Sequence, residues 1–187
     1  MEFLCSWSAG VLTLDQVLEG RRGAAVTFDD GFKDCMDFAL PVLQELKLTA
    51  AFFIVAGRVG GSDTWMRVTS MPEERIMDWD DLKRLRDAGM TIGSHTMTHT
   101  TLNAAEIGDS KRLLEEKLGL VVRHFAYPRG EYAPADVETV KQAGYTAAWA
   151  TKGGDAGTFT RRRLPVSANA GLLQFGGKVL KAKLGIY

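Results

Sequence analysis

Short apolar runs alternate with amphipathic stretches along the chain. The apolar runs predict strands at 24–28, 50–55, 90–92, 121–126, 145–150 and 163–166. The amphipathic stretches predict helices at 34–48, 79–88, 104–118, 135–143 and 172–184, the first of them broken or kinked near Pro41. This alternation predicts a parallel sheet, which either a barrel or an open doubly wound sheet would satisfy.

Polar turns directly follow several of the predicted strands. Asp29 and Asp30 follow the first strand, residues 94–99 follow the third, and residues 127–130 follow the fourth. Parallel α/β proteins place their sites at the ends of the strands, so we expect these turns to lie close together. Their placement favours a barrel-type active site.

The composition is that of an ordinary globular domain, and we treat residues 1–187 as one domain. The 23 basic and 23 acidic residues give zero formal net charge, so no basic face is implied and nucleic acid is not an expected partner. No apolar run approaches the ~20 residues of a membrane span. The first residues do not resemble a signal peptide, and both a cytoplasmic location and export in a longer form stay open.

Two of the polar turns carry side chains that can bind a metal. The first is Thr-Phe-Asp-Asp-Gly at 27–31, and the second is His-x-x-x-His at 95–99, whose rings would face the same way on one helical turn. Two imidazoles and a carboxylate can hold a divalent ion with a position open for water, and a second carboxylate can take a proton from that water. Each turn alone is a weak signal, because adjacent acids often cap helices. Together they indicate metal-assisted hydrolysis.

At this point the sequence resembles the polysaccharide deacetylase family, the NodB-like carbohydrate esterases. Residues 27–31 match its first motif, residues 93–99 its second, and Phe-Ala-Tyr-Pro-Arg-Gly at 125–130 looks like a variant of its third. The resemblance implies a distorted (β/α) barrel with fewer than eight strands. It also implies removal of N-acetyl groups from N-acetylhexosamine units of an acetylated glycan.

The resemblance also implies roles for individual residues. Asp29 would be the general base, and Asp30, His95 and His99 would bind the metal, usually Zn²⁺ in this family, with another divalent transition metal as an alternative. The backbone N–H of Arg129 would stabilise the oxyanion.

Substrate contacts are expected from the third motif and from one tryptophan. Tyr127 and Pro128 are the candidates within the motif. Trp65 lies in the Gly-rich loop after the second strand, where its ring could stack on a sugar, whereas Trp79 and Trp149 are more typical of core residues.

The chain departs from the family pattern at several positions. Ala126 stands where the family often has an arginine that orients the base, and Arg129 stands where an aromatic residue commonly follows the proline. Arg129 could face a carboxylate or phosphate of the glycan. Residues 164–169 contain no late histidine that would act as general acid. Residues 161–163 are expected to be solvated arginines at the entry of a strand, with binding of an anionic glycan as the alternative.

The missing acid has three explanations. The chain could be truncated before an upstream Tyr-His element, which would leave the barrel incomplete at its N-terminus and an open edge for self-association. Asp29 could return the proton that it took, or His124 could reach the site from its strand. Two other functions also stay open: an O-acetyl esterase on a glycan, and a non-catalytic glycan-binding relative.

Overall fold

The computed structural model of the chain describes residues 10–65, 74–167 and 170–184. Six strands form one sheet in which every neighbouring pair is parallel. In chain order the strands are Thr27–Phe28 (β1), Ala51–Ile54 (β2), Thr91–Ser94 (β3), His124–Ala126 (β4), Ala147–Ala150 (β5) and Arg161–Arg162 (β6).

Helices occupy most of the connections between the strands. They are Leu14–Leu18 (α1), Leu40–Glu45 (α2), Trp79–Asp87 (α3), Ala104–Leu118 (α4), Pro134–Gln142 (α5) and Leu172–Leu184 (α6). A π-helical turn at Cys35–Ala39 leads into α2, and short 3₁₀ turns occupy Ala56–Arg58 and Pro128–Gly130. None of the described helices is long and apolar enough to cross a lipid bilayer.

The strand order decides between the two predicted architectures. In an open doubly wound sheet the order reverses at a switch point, whereas the strands of a barrel follow one another around an axis. Here the order is β1-β2-β3-β4-β5-β6, without a reversal. The prediction of a (β/α) barrel with fewer than eight strands is therefore confirmed, and β1 and β6 are the two ends of the described sheet.

The two faces of the sheet have different partners, because successive strand residues point to opposite sides. The outer face packs against the helices in a large core cluster that includes Phe52, Ile54, Leu82, Leu114 and Phe125. The inner face forms a smaller cluster of Leu14, Ala51, Phe53, Ala126 and Trp149. Thus α1 lies against the inner face, and the polar turns lie at the edge where the strands end.

Some elements differ from the sequence prediction. β6 ends at Arg162 instead of spanning 163–166, so Arg163 follows the strand. α1 is a helix that the hydrophobic pattern does not predict, although Thr13 and Gln16 form a capping box at its start. Near Pro41 the predicted helix changes from a π-helical turn to α2, and Pro41 lies in the first turn of α2.

Candidate active site

Three potential metal ligands meet at the edge where the strands end. Asp30 follows β1, while His95 and His99 follow β3, and one ligand atom from each lies within 4.8 Å of the others. Asp30 Oδ1 is 3.6 Å from His95 Nε2 and 3.4 Å from His99 Nε2. The sequence prediction thus named the three residues that the fold brings together.

These distances fit a shared cation better than direct hydrogen bonds. A tetrahedral ion with bonds of about 2.0–2.1 Å separates its ligand atoms by about 3.3–3.4 Å. Asp30 Oδ1 is buried and has no hydrogen-bond partner among the described residues. A buried carboxylate oxygen without a partner is costly, and a divalent ion between it and the two imidazoles would satisfy it.

Neighbouring groups prepare both histidines as ligands. His95 Nδ1 lies 2.8 Å from the carbonyl oxygen of Ala126, an arrangement in which Nδ1 carries the proton and Nε2 is left free for a metal. Burial, followed by the positive charges of His95 and Arg129, lowers the pKa of His99 to about 4. His99 is therefore neutral near pH 7, which is the form that binds metals.

The two histidines lie in a turn and not on a helix, so the predicted helical placement is wrong. Thr96 and His99 have positive φ values of 71° and 60°. The amides of Ala56 and Gly57 donate to the carbonyl oxygens of Thr96 and Met97, at 2.9 and 2.8 Å, and hold the turn against the 3₁₀ segment after β2. The two rings still point toward the same site, because the backbone of the turn, and not the spacing of a helix, sets their directions.

Backbone strain is concentrated at this edge of the sheet. Five non-glycine residues with positive φ are found in the described chain: Asp30, Lys47, Thr96, His99 and Arg129. All but Lys47 belong to the three polar turns. Positive φ is uncommon outside glycine and costs on the order of 1–3 kcal/mol per residue, and such residues cluster at functional sites.

Asp29 lies beside the metal cluster and is held by an arginine. Arg163 Nη1 donates to Asp29 Oδ1 at 2.7 Å, and Arg163 Nη2 donates to Asp29 Oδ2 at 2.9 Å. Arg163 Nη1 also donates to Thr27 Oγ1 at 3.0 Å, and the guanidinium carbon lies 5.1 Å from the centre of the Phe53 ring. The bidentate geometry fixes the plane of the carboxylate.

The two adjacent aspartates have pKa shifts in opposite directions. Burial acts to raise the pKa of Asp29, but the charge and hydrogen bonds of Arg163 and the charge of His95 outweigh it and lower that pKa. For Asp30, burial raises the pKa and the charge of Asp29 adds to it, whereas the charge of His95 opposes it. The pKa values of the two aspartates thus move apart, and a cation beside Asp30 would offset the cost of burying its carboxylate.

Arg163 is the residue that sequence reasoning missed. It was expected to be solvated with Arg161 and Arg162, yet only 9% of its side chain is exposed. Ala126, where the family often has the orienting arginine, lies on the same inner face as Phe53. An arginine from the end of β6 thus reaches the carboxylate that an arginine on β4 would otherwise hold.

The predicted substrate contacts from the third motif need correction. Tyr127 has no exposed surface, its hydroxyl donates to the carbonyl oxygen of Phe159 at 3.0 Å, and its ring stacks on Tyr132. Pro128 is also buried. Tyr127 belongs to the outer core, and both side chains are too buried in this structure to face a glycan; they support the turn in which Arg129 is exposed.

The tryptophans separate as expected from the sequence. The Trp65 ring stacks on His99 with a centroid separation of 5.1 Å and an interplanar angle of 28°, so it lies at the candidate metal site. Trp149 is 97% buried in the inner cluster, and Trp79 packs against the large core. Only Trp65 among these three is placed to contact a substrate.

His124 lies at the other end of its strand. It is the first residue of β4, where its Nε2 is 3.3 Å from Asp15 Oδ1 and its Nδ1 accepts a hydrogen bond from Trp149 Nε1 at 3.4 Å. These partners connect α1 to the sheet, so His124 is a core residue. Asp155 accepts hydrogen bonds from the Gly157 amide and the Thr160 hydroxyl.

The sequence of this chain is similar to those of polysaccharide deacetylases. The sequence model of the family described as polysaccharide deacetylase matches residues 18–148. YxkH of Bacillus subtilis (strain 168), which is classed with the polysaccharide deacetylases, is 25% identical over 169 residues, covering 84% of this chain and 56% of YxkH. The chain thus spans little more than half the length of this relative.

Solved structures share the fold. The deacetylase PplD of Streptococcus pyogenes, in complex with acetate, has a TM-score of 0.78 at 19% identity, covering 94% of this chain and 82% of PplD. BC0361, a polysaccharide deacetylase from Bacillus cereus, has a TM-score of 0.77 at 26% identity, covering 96% of this chain and 59% of BC0361. Because the family match extends over more than half of the 187 residues, the chain belongs to the polysaccharide deacetylase family.

Proposed function

We propose that this protein is a metal-dependent hydrolase that removes N-acetyl groups from N-acetylhexosamine units of a polysaccharide. The observation that carries the proposal is the pairing of two carboxylates with different surroundings. Asp30 lies between two imidazoles with an unpaired buried oxygen, while Asp29 is held by Arg163. Asp30 is suited to bind a metal, and Asp29 is suited to accept a proton.

Zn²⁺ fits the donor set of one carboxylate and two imidazoles, which are Asp30, His95 and His99. A bound ion would polarise the acetamide carbonyl and lower the pKa of the attacking water. The protein's part is to hold the ligands in place: the Ala126 carbonyl fixes the His95 ring, and the amide of His99 donates to Thr96 Oγ1 at 3.0 Å.

Asp29 is the proposed general base. Its carboxylate is ionised at neutral pH and can accept a proton, and its lowered pKa favours the return of that proton afterwards. Arg163 uses one lone pair of each carboxylate oxygen, and the second lone pair of each stays available for water. Because Arg163 fixes the plane of the group, the free lone pairs have a defined direction.

The oxyanion is proposed to accept a hydrogen bond from the backbone N–H of Arg129. The hydrogen bonds of this turn are donated by Gly130 to the Tyr127 carbonyl and by Glu131 to the Pro128 carbonyl, so the turn itself does not use the Arg129 N–H. A fixed backbone donor of this kind typically contributes about 2.7–4 kcal/mol to transition-state stabilisation.

The leaving amine needs a proton, and the chain offers few candidates. It contains three histidines, of which two are the proposed ligands and the third, His124, lies at the far end of β4. We assign proton return to Asp29, which then acts first as base and afterwards as acid. Arg163 also supplies the base-orienting role that Ala126 lacks, which removes one reason for a purely glycan-binding function.

The Asp29→Asn variant tests this assignment, with Asp80→Asn as a matched control whose side chain is 88% exposed. Acetate release from N-acetylglucosamine oligomers should fall about 10²–10⁴-fold in Asp29→Asn, with metal content unchanged. Asp80→Asn should behave as wild type. Acetate release from O-acetylated xylan oligomers but not from N-acetylated oligomers would show that the protein is an esterase and not an amidase. Wild-type activity in Asp29→Asn would rule out Asp29 as the base.

A further inference from the structure

Arg129 is an exposed cation in the turn that follows β4. The residues on either side of it, Pro128 and Gly130, are buried, so only the arginine projects from this turn. The turn lies against the candidate metal site, because the carbonyl oxygen of Ala126, three residues before Arg129, lies 2.8 Å from His95 Nδ1.

The backbone at Arg129 favours a different residue. Its φ of 57° lies in the left-handed region, which glycine adopts freely and which strains an arginine. The oxyanion role proposed above needs only the backbone N–H, and glycine would supply that without strain. Arginine at this position therefore carries a conformational cost that the proposed backbone role does not require.

The charge of Arg129 acts on the neighbouring Glu131, but the two side chains do not form an ion pair. Glu131 is paired with Lys152 at 2.7 Å, and the charge of the Asp29 carboxylate is paired with that of Arg163. Among the described residues no carboxylate forms an ion pair with Arg129. A cation is repelled by a divalent ion bound beside it, and an anionic substituent of the substrate would offset that repulsion.

We propose that the Arg129 side chain binds an oxyanion substituent of the glycan, a carboxylate or a phosphate, next to the acetamide that is hydrolysed. The substrate class is then an anionic N-acetylated glycan. This inference rests on the proposed function, since it names the substrate of the same site. Guanidinium binds both kinds of oxyanion in a bidentate manner, so the two sources are distinguished by experiment.

The test compares kcat/KM for three oligomers of matched length. One is a neutral N-acetylglucosamine oligomer, one alternates N-acetylglucosamine with glucuronic acid, and one carries a phosphate monoester. We expect wild type to prefer one anionic oligomer by about 10–100-fold, mainly through KM, and this preference should weaken as salt is added. The preferred oligomer identifies the carboxylate or the phosphate as the ligand.

Variants at position 129 assign the preference to the side chain. Arg129→Gln should lower the anionic-to-neutral ratio at least about tenfold, whereas Arg129→Lys should retain part of it. Arg112→Gln, which removes the same charge from an exposed position on α4, should leave the ratio unchanged. Arg129→Gly should lose the preference and have a thermal midpoint no lower than wild type, because glycine relieves the strain.

The outcomes separate the two proposals. Equal rates on neutral and anionic oligomers in wild type, or an unchanged ratio in Arg129→Gln, would overturn the inference about Arg129 and leave the deacetylase assignment intact. No acetate from any of the three oligomers with metal bound would overturn the proposed function together with this inference.

Discussion

Replacing Arg163 by glutamine removes the contacts that hold the proposed base. Two charge-assisted hydrogen bonds to Asp29, at 2.7 and 2.9 Å, are lost together with one to Thr27 at 3.0 Å. Hydrogen bonds to charged groups contribute about 1.5–3 kcal/mol each, but Asp29 is 33% exposed and water replaces part of this. We therefore expect a loss of about 1–3 kcal/mol in the free energy of unfolding.

The effect on turnover should be larger than the effect on stability. Without the guanidinium the Asp29 carboxylate is free to rotate, and a misplacement of about 1 Å at a reacting group can cost about 10²-fold in rate. We expect kcat on N-acetylglucosamine oligomers to fall about 10²-fold in Arg163→Gln, with a smaller change in KM. Arg163→Lys keeps the positive charge but cannot form the bidentate contact, and it should recover part of the lost kcat.

The assay combines steady-state kinetics, thermal unfolding and metal content. Arg162→Gln is the matched control, since this neighbouring arginine is exposed at the end of β6. Metal content should stay at the wild-type level in all three variants, because Arg163 contacts Asp29 and not the proposed ligands. An Arg163→Gln protein with wild-type kcat would refute the reasoning that the bidentate contact positions the base.

Four further predictions concern the turn, the inner core, the metal-site rim and the sheet edge. Gly130→Ala should cost about 2–4 kcal/mol of unfolding free energy, since φ is +70° and a Cβ would lie 1.7 Å from Thr151 Oγ1; a wild-type denaturation midpoint would contradict this. Leu14→Ala should also cost about 2–4 kcal/mol in chemical denaturation, because Leu14 is 1% exposed in the inner cluster; a loss under 1 kcal/mol would show that α1 adds little. Trp65→Ala should raise KM for the oligomers about 3–10-fold with less effect on kcat, and an unchanged KM would exclude stacking on the sugar. Self-association through the unpaired side of β1 should appear as concentration-dependent sedimentation, and a monomer at every concentration would exclude it.

The three metal ligands could be predicted because their signal does not depend on local conformation. Asp30, His95 and His99 were identified by residue type and by their position after apolar strands. The prediction of these three residues holds even though the histidine segment is a turn with positive φ at Thr96 and His99. Parallel strands bring their ends together whatever the turns between them look like.

Arg163 was missed because of a shift in one strand boundary. With the sixth strand placed at 163–166, Arg163 begins the strand and points away from the site edge. With β6 at Arg161–Arg162, the same residue follows the strand and reaches Asp29. The rule that found the other polar turns would have included Arg163 had the boundary been right, but short strands rich in arginine give little periodicity from which to place it.

Tyr127 shows the opposite error. Side chains alternate between the faces of a strand, and Phe125 and Tyr127 share the outer face with the helices while Ala126 faces inward. That alternation was available from the sequence. The resemblance to a family motif outweighed it, although a motif identifies a segment and not the direction of each side chain in it.

The central claim is that Asp30, His95 and His99 hold a divalent ion on which hydrolysis depends. The most direct measurement is the metal content of the purified protein and of His95→Ala, together with acetate release before and after treatment with a chelator. We expect about one ion per wild-type chain and little bound metal in His95→Ala. Acetate release should stop with chelator and return with Zn²⁺. A wild-type protein that binds no metal after addition of Zn²⁺, or that releases acetate undiminished in chelator, would contradict it.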